Sequence, residues 1–210
     1  MYQAIQNDFT DIIKALPKMK TKTPEIEIRF GKVVNNTFQS YISRGMFYDV
    51  LLQFTRSNVW THAYQEDSID YFIDDLRVTQ VNMKDNDPVF SCMQKSKLIT
   101  PKNYSNDDEN DSDIRLSISA EVPRDVPNHF HKTDKNTLKQ RHKQRHTFIY
   151  KNMWKYDFTR VFASNIAGEL YEIEIELINC ADVVLVYNAE YLAHSLILKI
   201  DDIMNMSTEV

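Results

Sequence analysis

The sequence predicts a mainly β, α+β domain whose sheet closes on itself, with a few helices laid against its outside. Most of the chain between residues 25 and 178 alternates β-branched or aromatic residues with polar ones, in segments bounded by Asn, Asp, Ser and Pro. Several of those segments carry charge on one face and apolar side chains on the other. Helical periodicity is confined to three places. Many strands with few helices point to a closed sheet.

In chain order, Ile5, Phe9, Ile12, Ile13 and Leu16 fall at helical spacing within Tyr2 to Leu16, and Pro17 closes that segment. A second helix is expected from Met46 to Phe54, where Phe47, Val50, Leu51 and Phe54 share a face. A third is expected from Ala189 to Met204, capped by Asn188. Strands are expected near 25–31, 58–66, 69–82, 89–99, 113–121, 140–150, 153–162 and 169–178. Between Pro101 and Ser112 the segment PKNYSNDDENDS is polar, acidic and turn-rich. It cannot bury enough apolar surface to order itself, so 101–112 is expected to be a mobile loop rather than a domain boundary. No tandem repeat is evident.

At 210 residues and 24.8 kDa, with 42% hydrophobic residues, the chain is expected to form one domain spanning 1–210. A net charge of -5 and a pI near 5.7 argue against a general nucleic-acid coating protein, so a polyanion must meet a local basic site. Cys92 and Cys180 have neither metal nor redox spacing, which fits a reducing compartment. No run approaches the roughly 20 apolar residues of a membrane span, and no secretory signal opens the chain. The expectation is a soluble intracellular protein, either nuclear or cytoplasmic, the latter including a viral factory or virion. Only 3 glycines, with abundant Asn, Asp, Ile and Tyr, are compatible with the AT-rich genome of a large DNA virus.

The chemistry lies in the charged faces. TPEIEIRFG places Glu25, Glu27 and Arg29 on one side of a strand and Ile26, Ile28 and Phe30 on the other. LYEIEIELI repeats this with Glu172, Glu174 and Glu176; a helix would scatter those glutamates around its axis. Other segments supply the opposite charge. QRHKQRHTF aligns Arg141, Lys143 and Arg145, and KSKL aligns Lys95 with Lys97. Mixed faces appear in DIRLSISAE (Asp113, Arg115, Ser117, Ser119, Glu121), KYDFT (Lys155, Asp157, Thr159) and DLRVT (Arg77, Thr79).

Faces turned to solvent would make only a soluble sheet. Faces turned inward would make a barrel filled with both charges, its apolar sides packed outward against helices. Clustered carboxylates need neutralising, and an all-oxygen donor set suits Mg²⁺ or Mn²⁺ better than zinc. Inward Arg and Lys suit phosphate oxygens. There is no GxxxxGK loop, G-x-S-x-G elbow, HExxH or Cys/His zinc spacing. His142 and His146 fall on the face opposite Arg141, outside the charged interior. With His129 and His131 they are expected to lie away from the site.

The two glutamate segments, EIEIRFG and YEIEIEL, with the charged strands between them in the same order, resemble the tunnel-family RNA triphosphatases of fungi, protozoa and large DNA viruses. These belong to the wider triphosphate tunnel metalloenzymes. The resemblance covers Glu25 to Glu176 and implies a closed eight-stranded antiparallel β-barrel. It implies metal-dependent removal of the γ-phosphate from 5′-triphosphate RNA, the first step of mRNA capping. By the same resemblance Glu25, Glu27 and Glu176 look like metal ligands, with Glu172 and Glu174 completing the acidic floor. Arg77, Lys95, Arg141, Lys143 and Arg145 look like the phosphate-binding roof, and Glu121 like the residue that positions the attacking water. Asp113 looks like an orienting group for basic neighbours, and Arg115, Lys155, Asp157 and Thr159 like further substrate contacts. Lys155 stands where arginine is expected.

The family often joins this domain to guanylyltransferase and methyltransferase modules, which can act in cis or in trans. No KxDG motif occurs in these residues. The same fold also suits hydrolysis of inorganic, thiamine or nucleoside triphosphates. Two readings of other kinds are a non-catalytic module binding triphosphate-ended RNA, and a β-domain with solvated charges.

Overall fold

The computed structural model describes residues 1–19, 24–84, 86–106, 111–163 and 168–206. Helix α1 (Tyr2–Ala15) leads into β1 (Pro24–Val34), the short β2 (Thr37–Gln39) and α2 (Arg44–Arg56). Strands β3 (His62–Ile73), β4 (Leu76–Val81), β5 (Val89–Tyr104) and β6 (Asp113–Arg124) follow. After α3 (Asn128–Lys132) come β7 (Lys139–Tyr150), β8 (Trp154–Ala163) and β9 (Leu170–Leu177), then α4 (Cys180–Val186) and α5 (Ala189–Met206).

The sheet runs β2-β1-β6-β5-β4-β3-β7-β8-β9, and β9 pairs back onto β1. All these pairings are antiparallel, so eight strands close a barrel and β2 extends one wall beyond β9. Gly31 permits that extension, because an added Cβ would overlap the carbonyl oxygen of Gln39. Closure of the sheet and the three expected helices are as the periodicity predicts. Asn188 caps α5 by accepting a hydrogen bond from the backbone N–H of Tyr191 at 2.8 Å.

The apolar core lies outside the barrel. Ile26, Ile28 and Phe30 of β1 and Ile173, Ile175 and Leu177 of β9 join Phe9 of α1, Phe47 and Phe54 of α2, and Leu192, Leu196 and Ile200 of α5. Each helix therefore buries one face on the barrel wall, where every large side chain adds about 1.5–3 kcal/mol of transfer free energy. A smaller cluster, Tyr71, Val78, Cys92 and Phe130, lies beneath α3. No single helix among the described residues is long and apolar enough to cross a membrane.

Three expectations change. The strands expected at 58–66 and 69–82 are really one strand, β3, a turn at Asp74 and Asp75, and then β4. Asp67 and Ser68 look like turn residues, yet Ser68 is fully buried opposite Lys143 and Val81. Asp74 instead takes the positive φ of 53° that the tight turn needs. The expected loop over 101–112 begins later, because Pro101–Tyr104 continues β5. Asp8 of α1 holds that extension by accepting from Lys102 and from the Tyr104 hydroxyl at 2.6 Å. Residues 107–110 lie outside the described residues. Helices α3 and α4 were not expected, being too short to show a period.

Candidate active site

Side-chain alternation sends the charged face of every barrel strand inward. There the charges enclose a cavity of about 280 Å³, lined by Glu25, Arg77, Lys95, Glu121, Arg141, Lys143, Arg145, Lys155, Asp157, Glu172, Glu174 and Glu176 among others. Glu27 lies beneath it, 4% exposed. Ring closure is what brings the two glutamate strands together. In the β1–β9 register Glu27 stands opposite Glu176, and Arg29 opposite Glu174.

Most of these carboxylates lean on a cation. Lys95 reaches Glu25, Glu27 at 3.3 Å and Glu121 at 3.7 Å. Arg77 donates to Glu121 at 3.0 Å, and one Arg141 nitrogen donates to both oxygens of Glu172 at 2.8 and 2.9 Å. Arg29 spans Glu27 and Glu174, the latter at 2.8 Å. Lys143 meets Asp70 at 2.7 Å, and Lys155 bridges Glu176 and Asp157. Arg145 meets Asp157 at 3.2 Å and donates through Nε to Thr159 at 3.0 Å.

The electrostatics separate the glutamates. Burial pushes the Glu176 carboxyl up, Lys155 pulls it back, and Glu25 and Asp157 add repulsion. Glu172 is likewise raised by burial and by Glu174, against Arg141. Burial also opposes ionisation of Glu174, yet Arg29, Arg145, Lys155 and Lys95 together hold it at about 2. Lys143 is lowered by burial and by Arg145 and Arg77, although Asp70 opposes the shift. Among the described residues no three Asp, Glu, His or Cys side chains converge closely enough to hold an ion as they stand.

Three expected contacts lie off the cavity lining. Among the described residues Asp113 orients no basic side chain; its carboxylate accepts the backbone N–H groups of Val33 at 2.7 Å and Asn106 at 2.9 Å. Arg115 sits near the end of the barrel over the Phe38 ring, and Thr159 supports Arg145. Conversely, Glu66 and Asp70 line the cavity and were missed, since dividing β3 hid their shared inward phase with Ser68. Arg29, visible in EIEIRFG, also lines the cavity. His142 faces outward, 3.1 Å from Asp67.

A closed antiparallel barrel with interlocked carboxylates and cations inside defines a triphosphate-tunnel protein. The family model of the mRNA capping enzyme beta chain, an mRNA triphosphatase, matches residues 64–191, and the chain belongs to that family: it is a hydrolase acting on RNA 5′-triphosphate ends. The fold is similar to that of S. pombe RNA triphosphatase Pct1, with a TM-score of 0.73 and 19% identity over 100% of this chain and 93% of that one. It is also similar to the mimivirus capping enzyme triphosphatase, with a TM-score of 0.59 and 17% identity over 94% and 97%. The RNA triphosphatase domain of the trifunctional mimivirus mRNA capping enzyme matches with a TM-score of 0.59 and 16% identity over 97% of each chain. Sequence comparison with curated proteins finds no match.

Proposed function

We propose that the chain hydrolyses the γ-phosphate of 5′-triphosphate RNA in its tunnel, with Mg²⁺ or Mn²⁺ held by Glu25, Glu27 and Glu176. The observation that carries this reading is the cross-strand pairing of Glu27 with Glu176 beneath a roof of arginines and lysines. The donor chemistry fits a hard divalent ion: the donors are carboxylate oxygens on adjacent strands, and burial leaves Glu176 and Glu172 short of full neutralisation. The ammonium groups of Lys95 and Lys155 would yield to the ion, and both sit on flexible stems. Glu172 and Glu174 complete the floor through Arg141 and Arg29.

When bound, such an ion polarises phosphoryl oxygens and shields the charge of an incoming triphosphate. The chain's own groups do the rest. Arg77, Lys95, Arg141, Lys143 and Arg145 take the phosphate oxygens; Asp157 and Thr159 hold Arg145 in place, and Lys155 bridges Asp157 and Glu176 beside it. Glu121, fixed by Arg77, positions a water in line with the γ-phosphorus. The water oxygen bonds to phosphorus, the bond to the β–γ bridging oxygen breaks, and diphosphate-ended RNA leaves with inorganic phosphate. Charge on the transferring group is met by preorganised donors. Each tunnel cation already has a carboxylate partner, so these side chains would exchange partners rather than strand a buried charge when phosphate oxygens enter and the glutamates hold an ion. Guanylyltransferase and methyltransferase modules, in cis or in trans, would then complete the cap.

The test is phosphate release from RNA labelled at the γ position, with EDTA, Mg²⁺ or Mn²⁺, beside ATP, tripolyphosphate and Glu27→Ala. Metal-dependent release from RNA, reduced roughly 10²-fold or more in the variant, is expected. Release only from small triphosphates would move the assignment to a small-molecule triphosphatase. No release from any substrate would leave a binding module.

A further inference from the structure

Two aromatic rings on the charged inner face belong to neither apolar core. Phe38 stands opposite Val33 in the β1–β2 register, and Val33 shares the inward phase of Arg29. Phe72 shares the inward phase of Asp70 and stands opposite Lys139. Both rings are half-buried, and neither joins the core clusters. Each has a cation over it instead: the Arg115 guanidinium lies 4.8 Å from the Phe38 centroid, and the Lys139 ammonium 5.7 Å from that of Phe72.

All four residues lie at one mouth. Because every pairing is antiparallel, the end of β1 shares a mouth with the starts of β6, β4, β7 and β9 and with the ends of β5, β3 and β8. Arg115 is near the start of β6, Lys139 begins β7, and Phe72 is near the end of β3. Four strand steps separate β1 from β3 and β6 from β7, so the two ring–cation pairs face each other across the opening. Arg115 Nε is buried without a hydrogen-bond partner, and Arg29 stands beside Arg115 in the β1–β6 register. Among the described residues at this mouth, Asp113 accepts from backbone amides and Asp75 from the amide of Gln94. The opposite mouth carries one such ring, Tyr64, in the inward phase of Glu66, but among the described residues no cation lies over it; there Glu66, Val81 and Ser91 face in and Lys155 is tied to Glu176 and Asp157.

We infer that triphosphate-ended RNA enters through the mouth at the end of β1, its first nucleotides held by the Phe38–Arg115 and Phe72–Lys139 pairs. This rests on the RNA triphosphatase reading and adds its direction and its selectivity for RNA over small triphosphates. The chemistry matches single-stranded nucleic acid, which binds aromatic or guanidinium planes through its bases and cations through its phosphates. An inorganic triphosphate has no base and gains nothing from these rings.

The test compares KM and kcat for a short triphosphate RNA and for tripolyphosphate in wild type, Phe38→Ala, Phe38→Tyr and Lys139→Ala. Tyr64→Ala, at the other mouth, is the control. The expected result is an RNA KM raised about tenfold in Phe38→Ala, the size of one lost stacking contact, and restored in Phe38→Tyr. Lys139→Ala should raise it less, while tripolyphosphate kinetics and Tyr64→Ala stay at wild-type values. An equal loss on both substrates would make Phe38 a structural residue and overturn the inference. So would an RNA defect confined to Tyr64→Ala, which would place RNA at the other mouth. Wild-type protein that cleaves tripolyphosphate but not RNA would instead overturn the RNA reading itself.

Discussion

Asp70 and Lys143 show how much hangs on single pairs in this barrel. They are 2% and 7% exposed, and their contact is 2.7 Å long. Replacing Asp70 with Asn leaves a buried ammonium without its counter-charge, which should destabilise the fold by about 3–5 kcal/mol in urea titrations. Asp70→Asn combined with Lys143→Met should recover most of that loss. Burial would raise the Asp70 carboxyl, but Lys143, Thr79 and Arg77 outweigh it and hold it below the usual range. Its contribution is therefore present above the ordinary carboxylate pKa of about 4 and is lost as pH falls through the depressed value. The single Asn variant should accordingly show a flatter acid limb than wild type. Glu25, Glu27, Glu172, Glu174 and Glu176 were legible in the sequence because period-two alternation fixes their common face. Asp70 was not, since its phase depends on where β3 ends.

Elements explain why that interior survives. The helices cover the outward faces so that the inward ones can be polar, and α2 concentrates this in Phe54, whose ring lies 4.7 Å from Trp60, 4.9 Å from Phe158 and 5.0 Å from Tyr156. Phe54→Ala should cost about 3–5 kcal/mol, read from thermal or urea unfolding, without altering tunnel residues. Gly31 sets a different limit. Gly31→Ala should displace β2 from β1, and near-normal stability with unchanged RNA KM would contradict the close approach found there. Long strands and helices were readable from periodicity, whereas α3 and α4 offer too few residues for a period. The β3–β4 turn was misplaced because Asp67–Ser68 and Asp74–Asp75 are locally equivalent; only pairing with β7 selects between them.

For the whole molecule, the interlocked charges predict coupled binding. Either metal or polyphosphate alone must break existing ion pairs, while the two together replace them. Added together they should raise the melting temperature by more than the sum of their separate effects, with about 2.7 kcal/mol of stabilisation when the joint ligand stands at 100 times its Kd. Additive shifts in a thermal scan would argue against a shared site. Which side chains share a face is written in the amino-acid order alone, because alternation along a strand is a local property of the backbone. The family is legible there too, because two glutamate strands in order with basic strands between them are a linear pattern. Which faces meet is settled by the folded barrel. The return of β9 to β1 sets Glu27 against Glu176, and the antiparallel ring gathers Phe38, Arg115, Phe72 and Lys139 at one mouth. Such pairings depend on register and closure between segments far apart in the chain, and no local periodicity encodes them.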